Sequence, residues 1–402
     1  MTDLSAPRSV APAAPPLAIV RDYGDPAAEY AALRTGALLA DRSRRDRWVL
    51  RGARARETLT GLVTNDIVGL PAGQGCYAAA LTAKGRIVAD LRVFALTGAA
   101  GDASPAPDDA AAAATAAAVG AVPGLDGAAL LVDVPPRAAD GFAALLRKYV
   151  NPRVTPYARV ADALRAFGVY GVRARDAVAA VFGAPPAALA ALAPYAHATV
   201  MLDGATLLLV RVPELGLDGF EVLGAPAATD AAWARVAQAV PGVVAGGDDA
   251  CTIARIEAGY PEWGIDVDEG TIPQEANLDE LRAISYTKGC YTGQEVVARV
   301  HFRGHVNRHL RGLAYLVEGG AIPAGAELLD ETGKVVGDVR SSAISPRLGG
   351  VAIGMVRREV PLGATLQARW PHPPNDAPSG GDAAAAAVVE RGVTVSTLPF
   401  PL

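Results

Sequence analysis

Between positions 98 and 128 the chain carries little besides Ala, Asp, Gly and Pro. A stretch so poor in large side chains cannot bury enough apolar area to offset the entropy lost on ordering it, so it does not fold as a unit of its own. It lies between two apolar runs, 91–96 and 130–134, and the simplest arrangement is a hairpin whose tip has swollen into a padded loop. A second stretch of the same kind, 371–386, separates the runs 364–370 and 388–398 and implies a second hairpin with a padded turn.

The rest of the chain must supply the cores. With 402 residues it is long enough for two or three units, and the apolar half of its residues supports sizeable interiors. A formal charge of -5 argues against wholesale binding to nucleic acid or membrane but leaves room for a local basic patch. Cys76, Cys251 and Cys290 lie far apart with no C-x-x-C spacing, so neither a disulfide framework nor a preformed zinc or cluster site is indicated, and a reducing, cytoplasmic setting fits best. Residues 1–16 read as a disordered tail. They lack the apolar segment of a secretion signal, and no stretch has transmembrane length without polar breaks.

Apolar residues recur at helical spacing over 141–149, 174–182 and 227–240, whereas 206–212 and 219–223 read as strands. Helices and strands mix without regular alternation, which favours α+β over a doubly wound sheet. After about residue 306 short runs, 310–317, 327–329, 334–341, 350–355 and 365–370, are punctuated by Gly, Pro and Asp. They predict a small antiparallel β-barrel over 306–402, following a region 17–305.

Reactive chemistry is most concentrated in Lys288-Gly289-Cys290-Tyr291-Thr292-Gly293-Gln294-Glu295. A thiol reacts as its thiolate, and the Lys288 cation together with a helix starting near Thr292 would favour that form of Cys290. The same residues also suit a plain structural role, with the glycines serving turns and Cys290 an inert small side chain. Upstream lie Arg255-Ile256-Glu257-Ala258-Gly259 and Thr271-Ile272-Pro273-Gln274-Glu275-Ala276-Asn277-Leu278; downstream lies Ala298-Arg299-Val300-His301-Phe302-Arg303-Gly304.

This order of motifs resembles the YgfZ-type folate-binding proteins, relatives of the glycine-cleavage aminomethyltransferase. The likeness extends to Leu62-Val63-Thr64-Asn65-Asp66, the Tyr77 region, Lys84-Gly85-Arg86-Ile87-Val88-Ala89-Asp90-Leu91 and Asp218-Gly219-Phe220-Glu221, and so spans most of residues 30–370. It implies an α+β, aminomethyltransferase-like fold: two interlocked parts around a central folate cavity, followed by the barrel.

The resemblance also implies a ligand, tetrahydrofolate or a one-carbon derivative. A pterin presents an amino group and a ring N–H side by side, which a carboxylate can accept together, and Glu221 resembles the residue that does so. Arg255 is a cation suited to the glutamate end of folate, or else an ion-pair partner of Glu257. Tyr77 suits an aromatic ligand or ordinary packing, Lys288 joins the cofactor-binding set, and Cys290 and Asp90 are the candidate catalytic residues. The family's association is with iron-sulfur client or assembly proteins and with tRNA modification, so those partners, and a tRNA contact, are expected, with no membrane partner. The aminomethyltransferases carry two adjacent acids where this chain has Ala89 and Asp90, and an Arg near the position of Cys251. Those departures make an accessory role the first reading, with a tetrahydrofolate-dependent aminomethyltransferase or demethylating transferase as the alternative.

Two further patterns remain. Lys288, Arg299, Arg303, Arg308 and Arg311 face a single acid, Glu295, across 288–311, a cluster suited to RNA phosphates, a polyglutamate tail or an acidic protein, or simply to a solvated face. His301, His305 and His309 recur every fourth residue, but Gly304 and the β-branched Val300 and Val306 oppose one continuous helix there, so no metal site is expected.

Overall fold

A computed structural model of the chain describes residues 19–96, 122, 124, 125, 127–372 and 388–401. The tail expected over 1–16 and most of both padded loops lie outside these residues. The runs that bracket each loop do pair: Ile87–Ala95 runs antiparallel to Ala128–Val134, and Thr365–Pro371 to Val388–Ser396.

Two sheets share the first 260 residues. One has six strands in the order Val243–Ala245, Ala37–Asp41, Arg165–Tyr170, Gly219–Gly224, Ala205–Arg211, His197–Leu202, antiparallel except for the first pair. The other has five antiparallel strands, Gly75–Leu81, Ile87–Ala95, Ala128–Val134, Asp46–Arg51 and Tyr157–Arg159. Consecutive strands Ala37–Asp41 and Asp46–Arg51 lie in different sheets, and the chain crosses back between Tyr157–Arg159 and Arg165–Tyr170. The two parts are therefore interlocked and cannot be cut apart at one linker.

Strand alternation decides which side chains reach the space between these parts. Phe220 and Val222 join Phe167, Val169 and Trp233 in a core under helices Ala174–Phe182 and Pro226–Val236. Glu221, between them in sequence, points to the opposite face.

Six strands, in the order Arg308–Tyr315, Gly349–Arg357, Val335–Ser345, Glu327–Leu329, Thr365–Pro371 and Val388–Ser396, close into a barrel around Leu313, Leu328, Val339 and Val393. Helix Asp248–Ala258 fastens it to the rest. Glu257 accepts hydrogen bonds from Tyr30 (2.7 Å) on one side and Ser345 (2.5 Å) on the other, with Arg34 and Arg347 each 3.2 Å away. Gly259 ends that helix at φ 73°, and a Cβ there would come within 2.7 Å of Leu398 Cβ, so only glycine fits.

The helix doubted at 301–309 exists in part. Gln294–Arg303 is helical through Val300 and stops at Gly304, which leaves His301 on the helix, His305 in a loop and His309 in a barrel strand.

Candidate functional site

The step from one sheet to the other, Arg42-Ser43-Arg44-Arg45, delivers three guanidinium groups to the space between the sheets. Two of them, Arg42 and Arg45, join a buried ionic network. Arg92 Nη1 and Nη2 donate to Glu221 Oε1 and Oε2 at 3.0 and 2.9 Å, and Nη2 also donates to Asp133 Oδ1 at 3.0 Å. Asp133 further accepts from Arg47 at 3.1 Å and from Arg45. Tyr170 donates to Glu221 at 2.9 Å and itself accepts from Arg42 at 2.8 Å. Gly168 makes room for that tyrosine, since a Cβ there would lie 2.2 Å from its ring.

Arg47, Arg92 and Asp133 have no solvent exposure, so each charge survives only because opposite charges meet it. Burial alone would raise the Asp133 and Glu221 carboxyls. The guanidinium groups outweigh it, holding Asp133 well below the usual carboxylate range and Glu221 below its ordinary value.

Beside this network lies a cavity of about 600 Å³, of a size that holds small organic ligands. Asp90 and Tyr77 reach it from the hairpin Gly75–Leu81/Ile87–Ala95, where Tyr77 pairs with Arg92 and Asp90, two residues before Arg92, lies on the same face. Tyr77 donates to Asp90 Oδ2 at 2.7 Å, while Oδ1 is buried with no partner among the described residues. Burial pushes the Asp90 carboxyl up to about 6, against the Tyr77 hydrogen bond and the Arg45 charge that pull it down. Tyr77 also stacks with Tyr195 at 6.2 Å and meets Tyr260 at 6.5 Å, giving the cavity an aromatic side. Arg21, Arg44 and Arg137 line it too, each with an acid nearby: Asp249 at 3.2 Å, Asp248 at 2.6 Å and Glu262 at 4.0 Å.

Of the six residues singled out in the sequence, Tyr77, Asp90, Glu221 and Arg255 line this one cavity. Two of those four differ from expectation in their chemistry. The Arg92 fork already occupies the bidentate geometry that Glu221 was to offer a pterin. Arg255 is neutralised by Asp266 at 2.5 Å and Glu262 at 3.5 Å, also donating to Tyr260 O at 2.7 Å; its partner is not Glu257.

Lys288 and Cys290, expected in the cofactor-binding and catalytic sets, are not among the residues that line the cavity. Lys288 Nζ donates to the carbonyls of Val63 (2.7 Å) and Thr60, the latter ending helix Ala55–Thr60, and lies 4.4 Å from the Tyr291 ring centroid. Burial lowers its pKa to about 8. Thr292 N donates to Gly61 O at 3.0 Å, so the run is pinned on both sides of an exposed Cys290.

Sequence reasoning passed over Arg42, Arg45, Arg92, Asp133 and Tyr170. A signal was available: Arg92 and Asp133 interrupt the two apolar runs at 91–96 and 130–134, and a charge inside a buried strand must have a partner.

This arrangement, two interlocked sheets around a cavity with a barrel attached, defines an aminomethyltransferase-type fold. It matches the glycine cleavage system aminomethyltransferase T of Bartonella henselae with a TM-score of 0.71 over 94% of this chain and 89% of that one, at 21% identity. Residues 130–287 match the GCVT N-terminal domain. The tRNA-modifying protein YgfZ of Sodalis glossinidius is 32% identical over 268 residues, 66% of this chain and 67% of that protein. The YgfZ protein of Yersinia pseudotuberculosis is 30% identical over 292 residues, 71% and 73% of the two chains. An aminomethyltransferase of Ralstonia pickettii is 28% identical over 356 residues, 86% and 85%. The chain belongs to the YgfZ family of aminomethyltransferase-like proteins.

Proposed function

We propose that the cavity binds a folate, tetrahydrofolate or a one-carbon derivative, and that the protein is an accessory factor supporting iron-sulfur enzymes, among them enzymes that modify tRNA. One observation carries the ligand assignment: Asp90 Oδ1 is a buried acceptor without a partner among the described residues, in a cavity that also presents tyrosine rings. A buried polar atom left unsatisfied is costly, and a pterin amino or ring N–H would satisfy it. Tyr77 and Tyr260 offer ring surface to the flat ligand. Arg21 and Arg44, whose side chains are 78% and 36% exposed, suit the carboxylates at its other end. When bound, tetrahydrofolate supplies a carrier for one-carbon units. In this reading Glu221 acts through Arg92, and Cys290 meets a protein partner outside the cavity, so its sulfur chemistry does not require direct contact with the folate.

Calorimetric titration of tetrahydrofolate into the purified protein tests the ligand, with Asp90→Asn as the variant expected to weaken binding. No binding at millimolar ligand would end this reading. Complementation of a deletion strain tests the thiol: full rescue of iron-sulfur enzyme activity by Cys290→Ala would remove Cys290 from the function.

A second reading, a tetrahydrofolate-dependent one-carbon transferase, is favoured by the Asp90 carboxyl at about 6, since general acid-base work needs a group that changes protonation near neutral pH. It predicts one-carbon transfer from an aminomethyl-lipoyl carrier or a methylamine, lost in Asp90→Asn.

A further inference from the structure

The basic stretch after the cysteine run is absorbed neither by the cavity nor by the core. Helix Gln294–Arg303 fully buries one residue, Val297, and exposes Glu295, Arg299, His301, Phe302 and Arg303. Its last turn carries an exposed aromatic platform. His301 stacks on Tyr286 at 3.6 Å and 17°, and Phe302, 67% exposed, stands edge-on to both rings at 4.7 and 6.2 Å. The platform is held from below: Tyr286 donates to Asp279 at 2.5 Å, and Gln274 Nε2 bonds both the Tyr286 hydroxyl (3.3 Å) and Val297 O (2.8 Å).

Cations flank these rings. Arg299 and Arg303 occupy the same helix one turn apart. Most arginines between the sheets meet a carboxylate, but among the described residues none lies within ion-pair distance of Arg299 or Arg303.

We infer that this face docks single-stranded RNA, with bases stacking on His301 and Phe302 and phosphates meeting Arg299 and Arg303. Exposed rings beside unneutralised cations match a ligand that alternates π-faces with negative charge, which is how single strands are held without sequence readout. An acidic protein would answer the cations but leave the rings without partners, and the apolar area here, essentially one Phe, is small for a protein interface. The choice of RNA over DNA rests on the tRNA-related part of the reading above; the face itself does not depend on folate.

The test is fluorescence anisotropy of a labelled mixed-sequence 12-nucleotide single-stranded RNA with the full chain, against the matched DNA, the RNA duplex and polyglutamate. Phe302→Ala should weaken RNA binding about tenfold with little change in salt dependence. Arg299→Ala/Arg303→Ala should weaken it and reduce the salt slope by about 0.7 per lost phosphate contact. Arg147→Ala, which removes a cation on helix Ala139–Tyr149 with no ion pair among the described residues, should leave binding unchanged. Thermal melts and tetrahydrofolate titration of each variant show that the fold and cavity persist. RNA binding that none of the helix variants weakens overturns this face but not an RNA partner. Equal binding of polyglutamate, or no RNA binding at low salt, overturns the inference outright, while the folate reading stands or falls on its own titration.

Discussion

Arg92 and Glu221 join the two sheets by a fork of paired hydrogen bonds, 3.0 and 2.9 Å, between strands that share no backbone pairing. Both side chains are buried, so removing the acid alone strands part of a guanidinium charge in a dry interior. Glu221→Ala should therefore cost about 3 kcal/mol or more in urea denaturation, whereas Arg92→Met/Glu221→Leu should recover much of the loss. A cost below about 1 kcal/mol for the single change would mean that Asp133 alone satisfies Arg92. The same logic makes lost ligand binding in Glu221→Ala ambiguous, and Glu221→Gln, which keeps the shape and an acceptor, the better probe.

Asp90 gives an opposite signature. Its carboxyl titrates near 6 in the fold against an ordinary 3.8, so the folded state binds this proton more tightly and the charged form costs stability at neutral pH. The contribution of this group therefore rises as pH falls from about 6 toward 3.8. Asp90→Asn, whose carbonyl can still accept from Tyr77, should stabilise the ligand-free protein at pH 7 by up to roughly 3 kcal/mol. It should also remove any step near pH 6 from the folate-binding curve. Wild-type and variant curves that run parallel between pH 4 and 7 would show that the carboxyl is not perturbed.

How legible all this was depended on distance along the chain. The barrel strands and both padded hairpins could be read because local alternation and loop composition define them. The pairing of Ala37–Asp41 with Val243–Ala245 could not, because two hundred residues separate the strands and only sheet packing sets the register. At the site, the resemblance nominated Tyr77, Asp90, Glu221 and Arg255, which do share a cavity. It offered no view of what already occupies Glu221 and Arg255, because their partners Arg92 and Asp266 come from other elements. A lone Arg reads as surface, so the network's cations passed unnoticed. Lys288 and Cys290, given their roles by the same resemblance, lie outside that lining because their segment is bound to Thr60, Gly61 and Val63, contacts that no local pattern announces.

His197, on an edge strand and edge-on to Phe94 at 5.9 Å, should make stability fall in acid. Burial pushes its pKa from 6.5 down to about 4, against the backbone groups of Tyr195 and Ala95. Because the unfolded chain accepts this proton first, the group's contribution is intact above pH 6.5 and is lost as pH falls toward 4, by up to roughly 3 kcal/mol. His197→Phe should flatten that part of the profile. Asp90 gains over much of the same window, so the wild-type curve alone would conceal both effects and the single variants separate them. An unchanged acid limb in His197→Phe would assign the loss to other groups.

Lys288 is expected to act as the clasp of the cysteine run. Its ammonium binds two carbonyls at the C-terminal end of helix Ala55–Thr60, where backbone acceptors lack intrahelical partners and a cation is favoured. With Thr292 fixed to Gly61, Lys288 leaves Gly289 and Cys290 as a short exposed arch. A Cβ on Gly289 would meet nothing within 4 Å, so this arch is open on its outer side. Lys288→Met keeps the stem over Tyr291 but removes the charge and both hydrogen bonds. Amide exchange across 288–292 should then accelerate about tenfold or more, as expected for losing one or two charge-assisted bonds, while tetrahydrofolate binding in the separate cavity stays within twofold of wild type. Arginine at this position should restore protection in part, since it keeps the cation but not the compact fit against the Val63 carbonyl. Exchange that is unchanged in Lys288→Met would show the arch to be held by Thr292 alone, and a large loss of folate binding would place Lys288 back in the cavity's service.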